Sequence, residues 1–198
     1  MGVAVEKLRL SAQDFLAWDA TQTVRREFIA GRVLAMPGGD EAPLAGAGEA
    51  HATAALNVAM ALRQHLAGTP CRTFITDMKL QVVAADAFFY PDVMVCCSAA
   101  DAADLLVKRD PVLLVEVLSP ATAAYDRGDK FAAYRKLPGL REYLLVDTDS
   151  RRCDLFRKRD DGLWVLHPFE PGQALRLDSV ALDLPAELLW AEVPAASN

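Results

Sequence analysis

The stretch PVLLVEVLSPATAAYDRGDKFAAYRKLPGLREYLLVD, residues 111–147, decides the fold. It opens with a near-continuous apolar run, Pro111–Leu118. A strand buried on both faces reads this way, because neither side meets water and the alternation disappears. From about Asp126 to Leu137, Phe131, Tyr134 and Leu137 recur roughly once per helical turn, and Pro138-Gly139 ends the pattern. Glu142–Asp147 is a second apolar strand. A strand, a helix and a strand in this order predict a crossover connection with parallel pairing.

Working outward, Ser11 caps a short helix through Trp18. Residues 27–34 read as a hairpin turning at Gly31. A loop over 37–48 lacks the G-K-[ST] of a phosphate-binding loop. A helix from about Glu49 to Ala67 places Ala55, Val58, Ala59, Leu62 and Leu66 on one face, with Gly68 as its stop. Strands follow at Cys71–Thr76, Met78–Val83 and Phe88–Val95. After Asp147 come two meander strands, Arg151–Lys158 and Leu163–Phe169, and a closing helix around Glu187–Trp190. The expectation is one α/β domain over residues 1–198. Its α-β-β-β-α-β core with a mixed sheet spans about 49–147. An N-terminal helix and hairpin occupy 11–36, and a C-terminal β extension occupies 151–190.

Composition narrows the function classes. The chain has 198 residues, 53% hydrophobic and 24% charged, which suits one compact domain. No stretch of eighteen apolar residues or N-terminal apolar signal is present, so a cytoplasmic location is expected. Cys71, Cys96, Cys97 and Cys153 form no C-x-x-C pair, and adjacent Cys96 and Cys97 suit a disulfide poorly. Four reduced thiols, largely core filler, are expected.

Two acids interrupt apolar strands. Glu116 sits inside Val112–Leu118, where an unpaired carboxylate costs several kcal/mol and must be paired, neutralised or bound to metal. Asp92 follows Pro91 in an otherwise apolar run. Pro-Asp is also a common turn. On neighbouring strands, however, two carboxylates can hold a hard cation such as Mg²⁺. Lys130 lies four residues after Asp126. That spacing suits an ordinary helix ion pair, and it also suits a cation aimed back over the sheet.

The set Glu116-Val117-Leu118-Ser119-Pro120, Asp126, Lys130, Tyr134 and Glu142–Asp147, with Pro91-Asp92-Val93 and the hairpin Glu27–Gly31, resembles the Uma-type family of restriction endonucleases. That family lies within the PD-(D/E)XK nuclease superfamily. The resemblance runs from about Ser11 to Trp190. It implies a restriction-endonuclease-like fold and DNA phosphodiester hydrolysis dependent on Mg²⁺, with Mn²⁺ as an alternative. It implies Asp92, Glu116 and the Val117 backbone carbonyl as metal ligands. The superfamily pattern asks for lysine at position 118, where this chain has leucine. Lys130 is the natural substitute, with Lys79 a weaker one. Glu27 and His51 also match family positions. Glu27 adds a carboxylate to the site or pairs with a hairpin arginine, and His51 acts in the site or bonds at its helix terminus. Tyr134 reads as helix packing. The missing lysine leaves an alternative, a catalytically impaired nuclease-fold module that binds nucleic acid or regulates. A homodimer would suit double-strand cutting.

The net charge of −6, from 27 acids and 21 bases, argues against a uniformly basic nucleic-acid surface. The imbalance is local, however. Residues 125–159 hold ten Lys and Arg against six Asp and Glu, a surplus of four, which leaves −10 for the remainder.

Overall fold

The structure is a computed structural model that describes residues 5–6, 10–35 and 48–195. Apart from Gly48, the 37–48 loop lies outside the described residues.

Pro111–Leu118 is the centre of a six-stranded mixed sheet. We number the strands β1 (Val5–Glu6), β2 (Arg26–Ile29), β3 (Arg32–Ala35), β4 (Arg72–Ile75), β5 (Lys79–Val82), β6 (Ala87–Phe89), β7 (Val93–Cys96), β8 (Val107–Lys108), β9 (Pro111–Leu118), β10 (Glu142–Asp147), β11 (Arg152–Lys158) and β12 (Trp164–Phe169). The central sheet runs β12-β11-β10-β9-β7-β4. β9 and β10 are parallel, as the crossover requires, and their neighbours are antiparallel. The second sheet runs β1-β3-β2-β6-β5-β8, so the N-terminal hairpin belongs to a six-stranded layer and is no mere appendage. The meander β11–β12 extends the central sheet. A further two-stranded ribbon, β13 (Leu175–Leu177) with β14 (Leu182–Leu184), has strands too short to show in the pattern.

The expected strand Phe88–Val95 is two strands in two different sheets. The chain leaves the second sheet at Phe89 and enters the central one at Val93. Pro91 lies in the break, where its missing N–H costs no ladder bond. Tyr90-Pro91-Asp92 therefore bridges the two layers, and Asp92 lies at their seam.

Alternation along β9 sorts the core. Leu113, Val115 and Val117 face α2 (Glu49–His65), packing with Ala54, Val58, Ala59 and Leu62. The stripe differs from the expected one only in Ala54 replacing Ala55 as its fully buried member. Leu114 and Leu118 face the opposite way, towards Phe131, Tyr134 and Leu137. Glu116 shares their parity. The helix bearing that stripe is not regular. It starts as α4 (Ala123–Tyr125), widens into a π turn over Asp126–Lys130, and resumes as α5 (Phe131–Tyr134). Such widenings recur at functional sites. Here the turn buries both Asp126 and Lys130, while Arg127, Gly128 and Asp129 between them stay exposed.

α1 (Ala12–Asp19) has the expected Ser11 cap, completed by Asp14 as a capping box. Its Phe15 stacks on Phe28 and Phe88, on the outer side of the second sheet. The hairpin turn uses Ala30 and Gly31, both at positive φ, the two-residue geometry that matches strand twist. With Phe28 turned outward to α1, Glu27 turns inward to the central sheet.

The cysteine expectation is corrected. Cys71 and Cys97 are disulfide-bonded. They flank β4 and β7 next to the pair Arg72–Cys96, so strand register brings together residues 26 positions apart. Cys96 and Cys153 are free and buried, as core filler should be. Burial pushes the Cys153 thiol up to about 12, which leaves it unreactive at neutral pH. No helix among the described residues is long and apolar enough to cross a membrane.

Candidate active site

All five candidate side chains lie in two adjoining groups. In the first, Lys130 Nζ lies 3.0 Å from Glu116 Oε1, 3.1 Å from Glu27 Oε1 and 3.4 Å from Asp126 Oδ1. All four residues are buried, none more than 6% exposed. β9 supplies Glu116, β2 supplies Glu27, and the π turn supplies Asp126 and Lys130. In the second group, Asp92 Oδ2 accepts the Val117 N–H at 2.7 Å and lies 3.2 Å from His51 Nε2.

The groups adjoin. Val93 pairs with Val115 across the antiparallel β7–β9 ladder, which sets Asp92 opposite Glu116 on the same face. The charge on Asp92 raises the pKa of Glu116, an effect that needs proximity. Lys79, the weaker lysine candidate, is elsewhere and tied to Asp19 at 2.6 Å.

Several expectations change here. Glu27 pairs with Lys130, not with a hairpin arginine. His51 reaches Asp92 rather than only its own helix end. Tyr134 does more than pack: its hydroxyl donates to Glu116 Oε1 at 2.8 Å. Asp126 is a full member of the cluster, and Tyr143 donates to its backbone carbonyl at 3.1 Å. Neither tyrosine role has a sequence signature. Tyr134→Phe should cost about 1.5–3 kcal/mol in chemical denaturation, because it removes a buried bond to a carboxylate.

Electrostatically the cluster is short of positive charge. Burial raises the pKa of Glu116 well above normal, and Lys130 only partly offsets it. Burial also raises Glu27. Lys130 itself rises: burial opposes its charge, but Glu116 and Glu27 outweigh burial. His51 rises as well, since Asp92 overcomes its desolvation. For the carboxylates burial is the larger cause and neighbouring acids add to it; for Lys130 and His51 it is the neighbouring carboxylates that raise the pKa. The Tyr125 hydroxyl lies beside Glu27, and burial and the Glu27 charge push its pKa up.

These features bear on a divalent cation. Among the described residues no three His, Cys, Asp or Glu side chains converge as a closed cage. Mg²⁺ does not need one, since it keeps several waters and takes one or two carboxylates. Facing carboxylates, with three carboxylates sharing one ammonium, fit such an open site. Lys130, Arg127, Arg152, Arg157 and Arg159, half of the ten bases in residues 125–159, are in ion pairs. The free basic surface is therefore smaller than the sequence count suggests.

Fold and site together define a nuclease-like α/β protein. The family model described as "Putative restriction endonuclease" (Uma2) matches residues 12–187, and the chain belongs to that family. Two uncharacterised proteins of Synechocystis sp. are similar to it. One is 34% identical over 182 residues, covering 92% of each chain. The other is 33% identical over 168 residues, covering 84% of this chain and 90% of its own. In fold the chain resembles a solved structure from Anabaena variabilis described as a "putative nuclease belonging to DUF820". Its TM-score is 0.73 at 17% identity, covering 93% of this chain and 99% of that one.

Proposed function

We propose that this chain is a divalent-metal-dependent endonuclease that hydrolyses DNA phosphodiester bonds. Asp92, Glu116 and the Val117 backbone carbonyl would hold Mg²⁺ or Mn²⁺. The observation that carries this reading is the meeting of Lys130 with Glu116 at 3.0 Å, on the face where Asp92 stands opposite. Leu118 occupies the usual lysine position and is buried with the apolar core. Lys130 brings an ammonium to the same carboxylate from the crossover helix. That weakens the case for an impaired binding module.

A bound divalent cation supplies Lewis-acid stabilisation of developing negative charge and acidifies water. The chain's own groups do the rest. Val117 N–H and His51 fix Asp92 through Oδ2, and Tyr134 and Lys130 fix Glu116 through Oε1. Because its pKa is raised, Lys130 is a cation at neutral pH. It therefore stabilises anionic charge and orients water by donation; it is not the proton acceptor. Glu27 and Asp126 hold the ammonium in place. Cutting both strands takes two such sites, so the same reading proposes a homodimer, in the cytoplasm, built from single-domain chains.

The test is cleavage of supercoiled plasmid and single-stranded DNA with Mg²⁺ or Mn²⁺. Asp92→Asn and Lys130→Ala should each lower the rate by about 10²-fold or more. Unchanged cutting by both variants would remove the proposal. A folded wild type that binds DNA without cutting it under any condition would favour the binding module.

A further inference from the structure

We propose that Lys130 is an internal counter-ion that a divalent cation must draw away from Glu116, so that this lysine sets the metal affinity of the site. The inference rests on the metal-dependent reading above and adds the device that regulates it.

One ammonium is shared by three carboxylates, at 3.0, 3.1 and 3.4 Å. Asp92, opposite Glu116, adds a fourth acid beside them, and it has His51 Nε2 at 3.2 Å. Lys79 is tied to Asp19, and Lys108 Nζ donates to the Asp101 backbone carbonyl at 2.6 Å. Buried carboxylates without a counter-charge are costly, so Lys130 holds the cluster together in the metal-free chain. A dication between Asp92 and Glu116 would repel the ammonium beside it. Lys130 would not be stranded, because Glu27 and Asp126 already hold it on its other sides. It can loosen from Glu116 and remain paired. Metal and lysine thus compete for one carboxylate, and competition of this kind is reciprocal.

The experiment is calorimetric titration of the full chain with MnCl₂, comparing wild type, Lys130→Met and Lys130→Arg, with melting curves with and without metal. Lys130→Met should melt lower without metal, bind Mn²⁺ roughly tenfold tighter, and gain more in Tm from it. Lys130→Arg should stay near wild type. Equal or weaker binding by Lys130→Met, while wild type binds at a site lost in Asp92→Asn, would overturn this inference alone. No binding by wild type would overturn the metal-dependent reading and this inference with it. If Lys130→Met fails to fold, Lys-labelled NMR of wild type decides. The Lys130 Nζ signal, assigned by its absence in Lys130→Arg, should move when Mg²⁺ binds, and a stationary signal overturns the inference.

Discussion

Glu116→Gln is expected to abolish cleavage while the protein stays folded and about as heat-stable as wild type. The amide keeps an oxygen for the Tyr134 hydroxyl and for Lys130, which retains Glu27 and Asp126. It also removes one anion from a buried cluster in which burial and neighbouring acids already raise the Glu116 pKa. Losing that charge relieves repulsion and offsets the lost ion pair. Catalysis has no such compensation, because a neutral amide is a poor ligand for a hard cation. The expected fall in cleavage rate is about 10³-fold or more. Scanning calorimetry should place Tm within a few degrees of wild type. A drop of about 10 °C or more, roughly 3–5 kcal/mol for a chain of this size, would instead make Glu116 a structural ion-pair residue.

The largest stability loss is expected far from that site, in Arg157→Ala. Glu142 on β10 is fully buried. Arg157 Nε donates to Glu142 Oε1 at 2.8 Å, and Asp178 N–H and Ser179 N–H donate to the same carboxylate at 3.1 and 2.8 Å. The arginine also pairs with Asp178 at 2.9 Å and donates to the Arg176 carbonyl at 2.8 Å. It therefore clamps the β13–β14 ribbon to the central sheet. Removing one partner of a buried pair leaves an uncompensated charge, at a cost of about 3–5 kcal/mol. Urea denaturation of the variant measures it, and a loss under about 1 kcal/mol would contradict the clamp. Mn²⁺ affinity at the Asp92 site should not change, since no residue of the clamp touches Lys130 or Asp92.

Some of this was readable in the residues and some was not. β9 and β10 could be placed because apolar runs of strand length are bounded by Pro, Gly and charge. Glu116 stood out because an acid in such a run demands an explanation, and Lys130 because position 118 is leucine. The break at Tyr90-Pro91-Asp92 was harder. Apolar residues continue on both sides of it, and periodicity does not report that a chain changes sheets. The π turn leaves no mark, since the stripe of Phe131, Tyr134 and Leu137 is that of an ordinary helix. Glu27, Asp126 and Tyr134 could not be assigned partners, because their contacts depend on how layers stack, and stacking is a property of distant segments. The Cys71–Cys97 bond was missed for the same reason: only the β4–β7 register brings the two thiols together.

The parallel pairing of β9 with β10 also bears on the order of synthesis. Glu27 is made early, Lys130 about a hundred residues later, and β10, the strand against which β9 is flanked, later still. On the ribosome the chain emerges from the N-terminal end, and distant pairings form only when both partners are out. A nascent chain halted before Glu142 would expose one edge of the Glu116 strand and could not seat the crossover helix on a finished sheet. The acid–lysine cluster is therefore complete only after β10 has been made.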